Sequence, residues 1–597
     1  MMMKKFLLVV CGSFVGSFLA LAMVCVCAIA MSFSIVFAMA TGTAPASSIK
    51  DKSVLLIKLE GPISERNAFE QPGLIEMLQG KDLPLSLEAI VKAIHVAKSE
   101  SKVKGIVISC AGASAAPATL HAIRMALQDF KAGSKKFVYA WANEGYAQGD
   151  YYVASVADSV LMNPLGVVDL HGMVSMTPYF KKLLDKAGVE MQVLRVGTFK
   201  SAVEPFMLDS ISPANRLQQT VFMGNIWKSM ETEMAKDRKI DDTVFDAMVD
   251  SMMLTKPAQE LKARKIIDGT CYKHEFEAKL KSLTHVGEKD DLRFVYPDVL
   301  ASHYDNGKNK DGIIAVVYAV GEIDGGMANG INSEELVKTI LDLKDKDDVK
   351  GMVLRVNSPG GSAFGSEQIW EAVDQFKKAK KTVAVSMGDY AASGGYYISC
   401  GAHRIFADST TITGSIGIFG LVPCVQKLME DKLGVTTSIV KTNANSEFSS
   451  GGFFYKKMTP VQQQAMQNMI NRGYEIFTKR CAEGRKIPQD SIKKIAEGRV
   501  WDGMSAKRIG LVDEFGGLSN AIDWVARAVK LNDGYYEVKA YPETQVSFVK
   551  LFQQYAQYRN QEQLKRQMGI FYTYYEELQA ILNRQHVLCL MPPIEIR

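Results

Sequence analysis

Short apolar runs alternate with amphipathic stretches along most of the chain. "SVLLIKL" (53–59) and "GIIAVVYAV" (312–320) are nearly continuous apolar runs of strand length. Each is followed by apolar positions at helical spacing, in "LPLSLEAIVKAIHVAKSE" (83–100) and "NSEELVKTILDLKDKD" (332–347). A second apolar run comes next ("VKGIVIS", 103–109; "VKGMVLR", 349–355). An amphipathic stretch follows it ("PATLHAIRMALQDFKAG", 117–133; "FGSEQIWEAVDQFKKAK", 364–380), then a third run ("KKFVYA", 135–140; "KKTVAV", 380–385). Strands alternating with helices predict parallel βα units and an α/β fold.

The same order occurs twice because the chain is duplicated. "YYVAS" at 151 answers "YYISC" at 396, "LLDKAGVEMQVLRV" at 183 answers "LMEDKLGVTTSIVK" at 428, and "ARKIIDG" at 263 answers "AKRIGLVDEFG" at 506. A shared offset near 245 residues marks a domain-sized repeat, not a short-repeat solenoid. The charged stretch around "THVGEKDDLRF" and "DNGKNKDG" places the boundary near 305. The expected units are therefore 43–305 and 306–545. Residues 546–597, with "LFQQYAQYRNQEQLKRQMGIFYTYYEELQAILNRQ", read as a helical extension whose aromatics serve packing.

The first 42 residues differ from the rest. Lys4 and Lys5 precede an uncharged, apolar or small stretch from Phe6 to about Ala40. A bilayer needs about 20 such residues, and a secretory h-region has about 7–15. A transmembrane signal-anchor is expected, with the N-terminus inside and the remainder outside the cytoplasm. "AMA" at 38–40 also has the form of a cleavage site.

Composition narrows the chemistry. The 597 residues are 47% hydrophobic and 23% charged, with a net charge of only +5 and no basic stripe carrying interleaved aromatics, so nucleic acid is not an expected partner. Nine cysteines and eight histidines are dispersed, without CxxC, HExxH or a Cys/His cluster, so neither a metal nor a disulfide framework is expected.

Candidate chemistry emerges where the two copies differ. "GDYAASGGYYIS" (388–399) places Ser393 between small residues. The first copy has Gln148 there, although Ala147 and Gly149 match Ala392 and Gly394. "RVNSPGGS" gives the second copy the pair Gly360–Gly361 after a strand, where backbone N–H groups can face a ligand; the first copy has "SCAGASAA". In the other direction, Lys200 of "VGTFKSAVEPF" has Ser446 as its counterpart. A serine hydroxyl needs a base, and a neutral lysine among apolar neighbours such as Phe199, Ala202, Val203 and Phe206 can act as one. These differences point to a composite site, with the hydroxyl from one copy and the amine from the other.

"AASGGYYIS", "RVNSPGGS", "TITGSIGIFG" and "VGTFKSAVEPF", four separate motifs in the right order along the chain, resemble the long, duplicated form of the signal peptide peptidase A (protease IV) family. The resemblance spans roughly residues 1–545. It implies two tandem Clp-protease/crotonase-like α/β repeats, with Ser393 as nucleophile and Lys200 as general base. It further implies that Ser415 orients the lysine and that Gly360 supplies an oxyanion-hole N–H, with Gly394 as the second donor. No cofactor is implied. Implied partners are signal peptides and other apolar peptides, the lipid bilayer, and further copies in a homotetramer; the implied location is the bacterial inner membrane with the catalytic region periplasmic. An inactive scaffold or chaperone of the same fold would be favoured by loss of Ser393 or Lys200, and both are present. An acyl-CoA enzyme shares the fold, but the anchor puts the chain on the wrong side of the membrane for CoA.

Overall fold

The computed structural model describes residues 49–66, 85–325, 330–449, 451–543 and 587–591, together with the helical pair Met23 and Val24. The predicted anchor otherwise lies outside the described residues, among which no helix is long and apolar enough to cross a membrane. Most of the 546–597 extension also lies outside them. Within its described part, 587–591, Val587–Leu590 form a β-strand and not the expected helix.

Two sheets of the same plan carry the molecule. In the first, the strands run in the order Arg293–Val295, Ser53–Ser64, Val103–Ser114, Phe137–Ala142, Ser159–Met162 and Gly269–Thr270, all parallel. In the second, Tyr536–Tyr541, Gly312–Val320, Val349–Ser358, Thr382–Ala392, Arg404–Ala407 and Glu514–Phe515 repeat that parallel order. Phe137 and Thr382 open equivalent strands 245 residues apart, and so do Ser159 and Arg404. The apolar runs become strands covered on both faces: of the nine residues Gly312–Val320, all but the last are buried. The flanking helices begin where the sequence supplies caps. Ser86 accepts the Ala89 N–H before Leu87–Ser99, and Asn332 accepts the Glu335 N–H before Ser333–Lys344.

The halves are not separate in space. Glu190–Arg195, from the first copy, pairs antiparallel with Phe419–Cys424 of the second, in register from Arg195–Phe419 to Glu190–Cys424. The segment after it, which includes Lys200, is thus laid against the second sheet. The first copy contributes Lys200 by sequence, while the second supplies most of its surroundings.

Candidate active site

Ser393 sits where the strand Thr382–Ala392 gives way to the short helix Gly394–Ser399. Its N–H donates to Gly414 O at 2.8 Å, and its carbonyl accepts the Tyr397 N–H at 2.8 Å. Between these two anchors the residue is held at φ 56°, ψ −114°, a conformation costly for any residue with a Cβ. The glycine after next is required by packing: a Cβ on Gly395 would lie 2.6 Å from Ser358 O. The "SGG" pattern therefore lets a strained hydroxyl-bearing turn close against Ser358, the strand end two residues before Gly360.

Lys200 meets this hydroxyl. Its Nζ lies 2.8 Å from Ser393 Oγ and 3.0 Å from Ser415 Oγ, and it donates to Ser415 O at 3.0 Å. Lys200, Ser393 and Ser415 are all fully buried. Burial favours the uncharged form of an amine, the form that can accept a proton. The Phe419 ring centroid is 6.0 Å from Nζ.

The lysine loop is held by main-chain and amide contacts. Val196 N–H donates to Ile418 O, and Phe199 N–H to Glu497 O at 3.0 Å. Gln218, on the helix Pro213–Arg238, donates to Phe199 O and accepts the Val500 N–H at 3.0 Å, joining the loop to the second half. At the loop's far end the buried Glu204 carboxylate accepts from Ser212 Oγ and Asn215 Nδ2. Gly498 has φ +75°, and a Cβ there would come within 2.6 Å of Lys200 Cβ; a Cβ on Gly417 would lie 3.2 Å from Lys200 Cδ. These two glycines and Gln218 were not apparent from the motifs. Gly417 lies inside "TGSIGIF", but nothing around "AEGRVW" marks Gly498 as a wall of the lysine channel.

Ser415 follows the strand Ile412–Gly414 at φ 48°, with its N–H donated to Arg499 O at 2.7 Å. Gly360, at φ 108°, opens the strand Gly360–Ser362, and its N–H donates to Ser358 Oγ at 3.2 Å. To serve an oxyanion, that N–H has to exchange the hydroxyl for the substrate oxygen. Gly394 N–H opens the helix Gly394–Ser399, whose first amides lack intrahelical acceptors.

The first copy has turned the equivalent turn to a structural use. Gln148 donates to Gly172 O at 2.9 Å and accepts the N–H groups of His171 and Gly172. Ser446, the counterpart of Lys200, opens the short helix Ser446–Ser449 and is exposed.

A charged network lies behind the strand that leads to Ser393. Asp389, four residues before Ser393, accepts both the N–H and Oγ–H of Thr119 at 2.8 Å and a hydrogen bond from Asn357. Burial pushes the Asp389 carboxyl up, and the Glu65 charge adds to this; the three hydrogen bonds oppose it. Glu65 in turn makes a two-point contact with Arg355, at 3.0 and 2.8 Å.

A buried hydroxyl and amine in contact, beside main-chain N–H groups at a strand–helix turn, have the parts needed for acyl transfer without histidine. Together with the two α/β sheets, they define the class of a serine hydrolase with a duplicated fold. Peptidase family S49 matches residues 131–287 and 375–532, and Clp protease matches 314–412. Protease 4 of Haemophilus influenzae is 32% identical over 552 residues, covering 88% of each chain. Protease 4 of Salmonella typhi is 36% identical over 464 residues, 76% of this chain and 73% of that one. The chloroplastic serine protease SPPA of Arabidopsis thaliana is 26% identical over 497 residues, 80% and 69% of the two chains. The chain belongs to peptidase family S49 and is a serine peptidase.

Proposed function

We propose that the chain is a membrane-anchored endopeptidase that degrades signal peptides left in the bilayer after export, using a Ser393–Lys200 dyad. The observation that carries this reading is the 2.8 Å contact between Lys200 Nζ and Ser393 Oγ, made across the two copies in a fully buried setting. Lys200 takes the Ser393 proton as Oγ attacks the scissile carbonyl, and returns it to the leaving amine. Ser415 fixes the amine through its hydroxyl and carbonyl. Gly360 and Gly394 N–H groups stabilise the tetrahedral oxyanion, each contributing about 3–4 kcal/mol by analogy with a single oxyanion donor in a studied protease.

The apolar stretch 6–40 behind Lys4 and Lys5 supports anchoring in the bacterial inner membrane with the catalytic region periplasmic. Assembly as a homotetramer belongs to the same reading. Glu190–Arg195 pairs with Phe419–Cys424 inside the chain, but the counterparts about 245 residues away, 435–440 and 174–179, form no strand and expose Val435, Val440, Val174 and Met176. Two copies can satisfy these segments by the same antiparallel pairing.

The test is cleavage of a fluorogenic apolar peptide by the detergent-purified chain, beside Ser393→Ala and Lys200→Ala variants checked for folding and assembly. Both variants are expected to lose about a thousandfold or more. Wild-type inactivity points to a scaffold of the same fold. Full activity of Lys200→Ala removes the dyad.

A further inference from the structure

The strand that leads to Ser393 is irregular just before its end. Thr382–Ala392 pairs with Val349–Ser358 as far as Val356 against Met387, and the pairing resumes with Ser358 against Ala391. Asn357 alone therefore faces Gly388, Asp389 and Tyr390. A bulge of this kind bends its strand and re-aims the side chains beyond it. Ser393 lies just past Ala391, and Gly360 just past Ser358, so the bulge sets one against the other.

Main-chain groups in a broken ladder need other partners, and here side chains supply them. Asn357 Oδ1 accepts the Tyr390 N–H at 3.1 Å, while its Nδ2 donates to Asp389 Oδ2 at 3.1 Å and to Glu65 Oε1 at 3.0 Å. Arg355 Nη1 donates to Met387 O at 2.8 Å, Thr411 Oγ1 to Gly388 O at 2.8 Å and Thr413 Oγ1 to Ala391 O at 2.6 Å. Two of the groups that hold Asn357 and the bulge come from the first copy. A Cβ on Gly388 would lie 2.6 Å from Glu65 Oε1 and 2.9 Å from Asn357 Cγ, so the Glu65 carboxylate is seated against the bulge itself. Thr119 closes the other side through Asp389.

The first copy lacks this arrangement. Ala111 stands at the register of Asn357, and Phe137–Ala142 pairs evenly up to Cys110 against Ala142, where it ends. The bulge and its asparagine thus belong to the copy that carries Ser393 and not to the fold as such. We infer that Asn357 is a positioning residue: it fixes the bulge Gly388–Tyr390 and so aligns the Ser393 hydroxyl with Gly360 N–H and Lys200 Nζ, and the first copy locks it in that role through Glu65 and Thr119. The inference rests on the reading of Ser393 as nucleophile. It gives the first copy a second part in the site besides the lysine. Without Asn357 the bulge loses its bonds at Tyr390 N–H and Asp389, and a shift of about 1 Å in a reacting group lowers the rate about a hundredfold.

Asn357→Leu keeps the approximate size of the side chain and removes its hydrogen bonds. Full-length wild type and variant are labelled to completion with a fluorophosphonate and counted by intact mass, and kcat and KM on an apolar fluorogenic peptide are expressed per labelled site. The variant is expected to lose about a hundredfold in kcat per site, with KM changed by less than about threefold. A residue needed only for folding lowers the number of sites and the denaturation midpoint and leaves kcat per site at the wild-type value; that result overturns the inference. Thr119→Val keeps the N–H bond to Asp389 and loses only the hydroxyl, and it decides the matter if Asn357→Leu does not fold. Its kcat per site is expected to fall about three- to tenfold; a wild-type value overturns the part given to the first copy. If wild type takes up no fluorophosphonate at Ser393, the nucleophile reading fails and the inference with it, whereas a labelled wild type with unaltered variants overturns the inference alone.

Discussion

Ser393 holds a positive φ of 56° between two hydrogen-bonded anchors, and this strain costs about 1–3 kcal/mol in a residue with a side chain. Glycine adopts the same backbone freely. Ser393→Gly is therefore expected to stabilise the fold by about 1 kcal/mol while abolishing peptidase activity, read as a higher denaturation midpoint beside a null assay. Ser393→Ala keeps the Cβ and gains no such relief. At this scale the sequence was readable because it contains its own control. The two copies share the turn but differ at Gln148 against Ser393 and at Lys200 against Ser446, so the candidate groups stand out by difference. Gly498 has no such contrast. Its role is to leave room for Lys200, and that depends on a contact between residues nearly 300 positions apart.

The decisive element is the loop after Glu190–Arg195, pressed between Ile416–Ile418 and Glu497–Val500. Gly498→Ala forces a Cβ to within 2.6 Å of Lys200 Cβ at a φ of +75°, so the loop has to move. A shift of about 1 Å at the amine is expected to lower kcat by about a hundredfold, with KM changed much less, in steady-state kinetics on an apolar peptide. The strands and helices of each copy could be predicted from periodicity, since period and caps are local. The pairing of Glu190–Arg195 with Phe419–Cys424 could not, because an edge strand's partner is chosen by tertiary contacts that leave no local pattern. The strand at Val587–Leu590 was hidden for the same reason, behind a stretch rich in helix-forming residues.

Across the whole molecule, the copies are bound together close to the residues they jointly supply. Glu65 reaches Arg355, Thr119 caps onto Asp389, and His121 lies between Asp408 and Glu233. Burial alone would push the His121 imidazole down; the hydrogen bonds and charges of Asp408 and then Glu233 outweigh it and hold the group up at about 10. The folded value is above the unfolded value of 6.5, so this contribution is complete below about pH 6.5, declines above it, and is lost as pH passes about 10. His121→Gln is expected to cost about 2–3 kcal/mol at pH 6, less than a fully buried pair because the two side chains keep 14% and 19% exposure. Urea midpoints of variant and wild type from pH 6 to 10.5 should converge as pH rises. The duplication behind this architecture was legible in the repeated offsets, whereas the ion pairs that join the copies involve residues unremarkable in either copy alone.

Activation of a serine from one copy by a lysine from the other is the chemistry on which the proposed function rests. Its most direct test is the rate at which a fluorophosphonate acylates Ser393, followed by mass spectrometry from about pH 5 to 9 in the wild type and Lys200→Met. The wild-type rate is expected to rise with pH as the amine loses its proton, and the Lys200→Met rate to be about a thousandfold lower and without that rise. A flat wild-type profile, or labelling of Lys200→Met at the wild-type rate, would contradict it.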